Sequence, residues 1–82
     1  MSLIAYKQPT SEERRAVMNE SCAVEKIVRE KERADITGIS RTRWWKLEGG
    51  GCVPKRIPLG DRSVGWLLSD LLYWMKRLSE TS

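Results

Sequence analysis

The stretch Thr37-Gly38-Ile39-Ser40 constrains this chain more than any other, because it ends one helical segment and opens the next within four residues. Glu30, Lys31, Glu32 and Arg33 are strong helix formers leading into Ala34 and Ile36, so a helix is expected over 30–36. Gly38 supplies the positive φ for a sharp reversal, Ile39 plugs the corner, and Ser40 is a good N-cap for a further helix over 41–48. Two short helices joined by a tight glycine turn make the helix-turn-helix pattern. Ala34 is small where the helices would cross, and Ile39, Trp44 and Leu47 share one face. With that face buried, Arg41, Thr42, Arg43, Trp45 and Lys46 are left outside or at the margin, and these side chains suit phosphates and base edges.

Gly49-Gly50-Gly51 ends the second helix and releases the chain into Val53-Pro54. A phosphate-cradling loop is a poor reading of it, since no Lys-Ser or Lys-Thr follows and no strand precedes. From Lys55 the period changes to two. Ile57 and Leu59 alternate with Arg56 and Pro58, and after Gly60-Asp61-Arg62 come Val64 and Trp66, alternating with Ser63 and Gly65. This predicts a β-hairpin with a polar, basic tip, standing beside the two helices as a wing. Pro58 cannot donate to a ladder and belongs on an edge. Ser69-Asp70 would start the last helix as N-cap and first-turn acid, Lys76-Arg77 would complement its far pole, and Leu71, Trp74, Met75 and Leu78 would form its buried stripe. Trp66 and Trp74 are read as core.

At the N-terminus, residues 1–9 lack periodicity and read as a loose tail ending in Pro9. Thr10-Ser11-Glu12-Glu13 offers a capping box for a polar helix running to about Val24. Its thin stripe of Ala16, Val17, Ala23, Val24 and Ile27 needs a partner, either the domain core or another subunit. The expected fold is therefore mainly α with a small β-hairpin: a winged helix-turn-helix over 27–79, preceded by an extra N-terminal helix within 1–26.

Composition narrows the function classes. The chain has 82 residues, enough for one small domain, and its longest apolar run, Leu71 to Met75, is far too short to span a bilayer. No apolar segment of secretory type follows Met1, so a cytoplasmic, nucleoid-associated location is expected. There is no histidine, and Cys22 and Cys52 lie far apart, so neither a zinc site nor a Cys-His pair can be assembled; no metal or cofactor is expected. The carboxylates sit in Glu/Lys/Arg patterns of solvated helix faces, which leaves catalysis no visible seat. Net charge is +4, and the whole surplus falls between Ser40 and Arg62, where six basic residues meet two acidic ones. A basic patch alone is often only a solvated face. Combined with the helical turn it becomes the electrostatic footprint of a nucleic-acid binder.

Several spaced motifs resemble a known family: Ile36-Thr37-Gly38-Ile39-Ser40-Arg41-Thr42, Leu47-Glu48 and Gly51, Val53-Pro54-Lys55-Arg56, Leu59-Gly60, Val64-Gly65-Trp66, then Ser69-Asp70 and Trp74. Together they look like the AlpA-like prophage regulators, which are similar to phage excisionases and to the winged domain of MerR-type regulators. The resemblance covers about residues 27–78. It implies a winged helix-turn-helix that binds DNA and acts on transcription of an integrase gene or directly in excision. It also implies a recognition helix starting at Ser40 and a wing over Gly60 to Ser63. On this reading Ser40, Arg41, Thr42, Arg43, Trp45 and Lys46 meet DNA from the recognition helix, and Lys55, Arg56, Arg62 and Ser63 from the wing. Arg33 stands where many members carry an aliphatic residue: either its stem packs along apolar surface with the charged head free, or the first helix begins elsewhere. Trp44 is bulkier than the usual aliphatic residue, and Val53 replaces a frequent aromatic, which would loosen the seating of the wing.

The leading expectation is sequence-specific binding of double-stranded DNA. The alternative is an interaction module that binds an integrase or another regulator through the N-terminal helix. One small module reads few base pairs, so a homodimer or cooperative assembly on DNA is expected, with the N-terminal helix as dimer arm and head-to-tail assembly both open.

Overall fold

A computed structural model describes residues 5–81. In chain order the elements are α1 (Ser11–Glu20), β1 (Ile27–Val28), α2 (Glu30–Thr37), α3 (Arg41–Gly49), β2 (Ile57–Gly60), β3 (Ser63–Leu67) and α4 (Leu68–Thr81). This is the expected class, mainly α with a hairpin, arranged as a winged helix-turn-helix. Gly38 closes α2 in the left-handed region at φ 71°, its N–H returning to Ala34 O, and the Ser40 hydroxyl caps α3 by accepting from the Arg43 N–H. Of the three glycines that end α3 and follow it, only Gly51 takes positive φ, at 71°. The Gly51 N–H then reaches Glu48 O and the Cys52 N–H reaches Leu47 O, which satisfies carbonyls of the last turn.

The hairpin is present, but it is not a free two-stranded ribbon. Ile27 and Val28 pair antiparallel with Leu67 and Trp66, giving a three-stranded sheet of order β1-β3-β2. Two residues are too few to show a period, so β1 left no trace in the sequence pattern. Pro58 lies on the outer strand β2, where its missing donor is harmless. Gly65, opposite Ile57, is required by crowding. A Cβ there would come within 2.6 Å of Ile27 Cγ2 and 3.1 Å of both Leu59 Cδ1 and Val28 O.

Three tryptophans occupy the centre. Trp44, Trp66 and Trp74 are all buried, and Trp44 meets the other two edge-to-face with centroids at 6.1 and 5.3 Å. Such pairs add about 0.5–1.5 kcal/mol each beyond area burial. Val53 is buried among them, and the Trp74 Nε1–H donates to Cys52 O at 3.0 Å. The segment after α3 is therefore seated firmly without an aromatic at 53. Arg33 departs from both sequence expectations. The helix begins where it was placed, yet the guanidinium is buried rather than free.

The N-terminal region differs most from its sequence reading. The capping box forms as expected, with the Glu13 N–H on Thr10 Oγ1 and the Thr10 N–H on Glu13 Oε1. However, α1 stops at Glu20, four residues early. Cys22 takes φ 51°, the Cys22 N–H binds Asn19 O and the Ala23 N–H binds Met18 O, a left-handed helix stop made by a residue that does not advertise one. Val17 and Met18 are the buried residues of α1, which packs on α4, while Ala16 and Val24 face solvent. The stretch read as a tail is tethered from Tyr6 onward, by Tyr6 N–H to Gly51 O at 2.8 Å and Tyr6 Oη–H to Asp70 at 3.0 Å; residues 1–4 of that stretch lie outside the described residues.

Helix α4 begins at Leu68, directly from β3, so Ser69 lies inside its first turn and is not its N-cap, while Asp70 is the first-turn acid as expected. Both are buried. The Glu25 carboxylate accepts from the Ser69 N–H (3.1 Å) and hydroxyl (2.5 Å), supplying the cap from another part of the chain. Asp70 instead receives Arg14 Nη1 at 2.9 Å along with the Tyr6 hydroxyl. Leu71 and Trp74 are buried, Met75 is half-buried, and Leu78, the last member of the expected stripe, is exposed.

Candidate nucleic-acid interface

The orientation of α3 follows from its one fully inward residue. Trp44 is held in the core and Leu47 is half-buried against it, so Arg41, Thr42, Arg43, Trp45 and Lys46 turn outward. Trp45 is 65% exposed, an unusual state for so large an apolar ring. Ser40 is also exposed, but its Oγ is already engaged as the cap of α3.

Beside α3 the chain forms two grooves of about 520 and 500 Å3. Trp45, Lys46, Glu48, Lys55 and Arg56 line the first, and Glu30, Arg41, Thr42, Trp45, Arg56 and Val64 line the second, with Trp44 and Trp66 behind them. The fold thus gathers Arg41, Thr42, Trp45, Lys46, Lys55 and Arg56 around one helix. Arg43, on α3, is exposed but lines neither groove. Arg62 and Ser63 sit apart from both, at the hairpin tip and the first position of β3, Arg62 exposed and Ser63 half-buried.

Arg56 is a fixed cation rather than a swinging one. Its Nε donates to Glu48 Oε1 at 2.8 Å, its Nη2 lies 2.7 Å from the same oxygen, and its backbone N–H donates to Glu48 Oε2 at 2.8 Å. This fork ties the approach to β2 onto α3 and partly neutralises Arg56. Arg41, Arg43, Lys46, Lys55 and Arg62 make no ion pair among the described residues, so their charge is available to a polyanion.

Sequence reasoning missed Glu30, Arg29 and the holding role of Glu48. Arg29 Nε donates to Val64 O at 3.0 Å, placing a further exposed cation against the wing. Glu48 and Arg56 carry opposite charges eight positions apart, a spacing that has no meaning until the chain folds back after the glycines. Among the described residues no helix is long and apolar enough to cross a membrane.

Fold and surface together define a small winged helix-turn-helix protein with a basic outer face on its second motif helix. A family model described as prophage CP4-57 regulatory protein (AlpA) matches residues 26–79, and the chain belongs to that family of prophage regulatory proteins. Comparisons with curated proteins and with solved structures gave no match.

Proposed function

We propose that this prophage regulatory protein binds double-stranded DNA sequence-specifically, with α3 in the major groove and the β2–β3 hairpin on the adjacent backbone or in the minor groove. The observation that carries this reading is the division of α3: Trp44 locks the helix inward while Arg41, Thr42, Arg43, Trp45 and Lys46 project from the exposed face. Arginine and lysine on such a face suit guanine edges and phosphates, and Trp45 offers a ring to sugar or a thymine methyl. Lys55, Arg56, Arg62 and Ser63 would position the wing through phosphate contacts. The output is transcriptional control or excision of an integrated element, in the cytoplasm at the nucleoid, with no catalytic step and no cofactor.

The test is fluorescence anisotropy on duplexes surrounding the protein's own gene and any neighbouring attachment site, against a scrambled duplex. Neutralising about six phosphates gives a log-log salt slope of about −5. Tight binding to one fragment with that slope is the expected result, and Arg43→Ala with Lys46→Ala should abolish it while the fold persists. Equal weak binding to all duplexes would refute the specific reading.

A second reading concerns residues 1–26 as a partner or dimer arm. It is favoured by the family match starting only at residue 26, and by the outer face of α1, where Glu12, Arg15, Ala16 and Asn19 are exposed. Under this reading an integrase, another regulator or a second copy binds α1, and contact through it survives the Arg43/Lys46 double substitution.

A further inference from the structure

We infer that Arg33 is a positioning residue that sets the angle between α3 and the wing, an inference that rests on the DNA-binding reading above. Its side chain is wholly buried. Nη1 donates to Ile39 O at 2.6 Å and to Thr37 Oγ1 at 3.2 Å, while Nε donates to Glu30 Oε1 at 3.2 Å and Nη2 donates to Glu30 Oε2. Thr37 Oγ1 in turn accepts from the Ile39 N–H and donates to Arg33 O, so the whole turn is knitted to one guanidinium. The Arg33 Cζ lies 4.7 Å from the Trp44 ring centroid and 5.8 Å from that of Trp66. Trp44 is the inward anchor of α3 and Trp66 that of β3. One planar group therefore touches the turn, the recognition helix and the wing strand at once.

Stability does not explain such an arrangement. A buried ion pair is often matched or bettered when apolar side chains replace both partners, so energy alone does not call for a guanidinium here, although removing it alone leaves Glu30 and Ile39 O without their donor. What it adds is direction. A planar fork of donors accepts only one placement of its partners, and its charge lies within cation–π range of both perpendicular tryptophan rings. The wing and α3 must reach the backbone and the base edges in the same docking, and a tilt between them loses base contacts before it loses phosphate attraction. Glu30 completes the arrangement, because its carboxylate lines the groove beside Arg41 and Arg56 and would repel DNA if Arg33 did not neutralise it.

The experiment uses the full chain with Arg33→Met and Arg33→Lys. Two quantities are read: amide hydrogen exchange along the chain, and the ratio of affinities for the preferred and scrambled duplexes. In the methionine variant, exchange from Gly38 to Arg43 is expected to quicken while that of α1 and α4 stays as in the wild type. The preferred-to-scrambled ratio falls by about tenfold or more in both variants; scrambled-duplex affinity and its salt slope do not move in the lysine variant, which keeps the charge beside Glu30, whereas the methionine variant also loses a smaller part of its scrambled-duplex affinity to the uncovered Glu30 carboxylate. Lysine keeps the charge but cannot serve Glu30 and Ile39 O together, so it shows the same quickened exchange and carries the test if the methionine variant fails to fold. Unchanged turn exchange in a folded variant, or parallel loss of both affinities, overturns the inference. Should the wild type show no preference among duplexes, the functional reading fails, and the exchange data still decide whether Arg33 holds the turn.

Discussion

At Cys22 the backbone adopts a conformation that its side chain opposes. A left-handed residue other than glycine is strained by about 1–2 kcal/mol, and φ at Cys22 is 51°. Replacing it with glycine removes that strain but enlarges the freedom of the unfolded chain, so Cys22→Gly is expected to stabilise by only about 0.5–1 kcal/mol. Urea unfolding followed by tryptophan fluorescence measures it, and a loss of stability would show that the α1 stop is held by something other than its own backbone. Gly65 is the opposite case. Its missing Cβ is filled by Ile27 and Leu59 side chains and the Val28 carbonyl, so Gly65→Ala should cost about 1–3 kcal/mol by overpacking in the same assay. Gly38 and Cys22 show why local reading succeeded at one turn and failed at another. Gly38 announces its positive φ by being glycine, whereas Cys22 reaches it silently.

Among the elements, α1 is where short-range chemistry is most exposed to pH. The Glu13 carboxyl is held below its ordinary value of 4.5, first by the Thr10 backbone N–H and next by the hydrogen bond from the Tyr73 hydroxyl, both of which favour the charged form. A lowered folded-state pKa contributes stability above the unfolded value and loses it as pH falls through the folded one. The start of α1 should therefore loosen in the acid range below 4.5, with lower protection of the Glu13 and Arg14 amides, relative to their intrinsic exchange rates, than at neutral pH. Glu13→Gln should flatten that dependence, and an unaltered acid profile in the variant would refute the assignment. Elements also differ in how far their sequences disclosed them. Helices α2 and α3 and the hairpin were legible because caps, glycines and period lie within a few residues. The short strand β1 and the direct passage from β3 into α4 were not, since each depends on distant pairing: Ile27 with Leu67, and the Leu68 N–H with Lys26 O.

Across the whole molecule, the N-terminal segment is bound to the rest by a polar cluster that joins Tyr6, Arg14, Glu25, Ser69 and Asp70. Burial first, then the Asp70 charge and hydrogen bond, push the Tyr6 phenol well above the ordinary tyrosine range. A raised pKa means that the neutral phenol is the form the fold holds, so its contribution is intact below the ordinary value of 10.0 and is lost as pH rises through the elevated one. Absorbance titration of the phenolate should show Tyr6 ionising late, and Tyr6→Phe should remove that late step while releasing the segment from α4. Ionisation of Tyr6 at the ordinary value would contradict its burial against Asp70. Sequence alone determined the helix-turn-helix, the hairpin, the burial of Trp66 and Trp74 and the basic composition of the outer α3 face, because those follow from local caps, turn residues and hydrophobic period. Only the tertiary structure decided that Arg33 is buried between two tryptophans, that Glu48 holds Arg56, and that Glu25 caps α4. Each of these depends on which distant groups the folded chain brings within hydrogen-bonding distance, and charge type and local spacing carry no record of that.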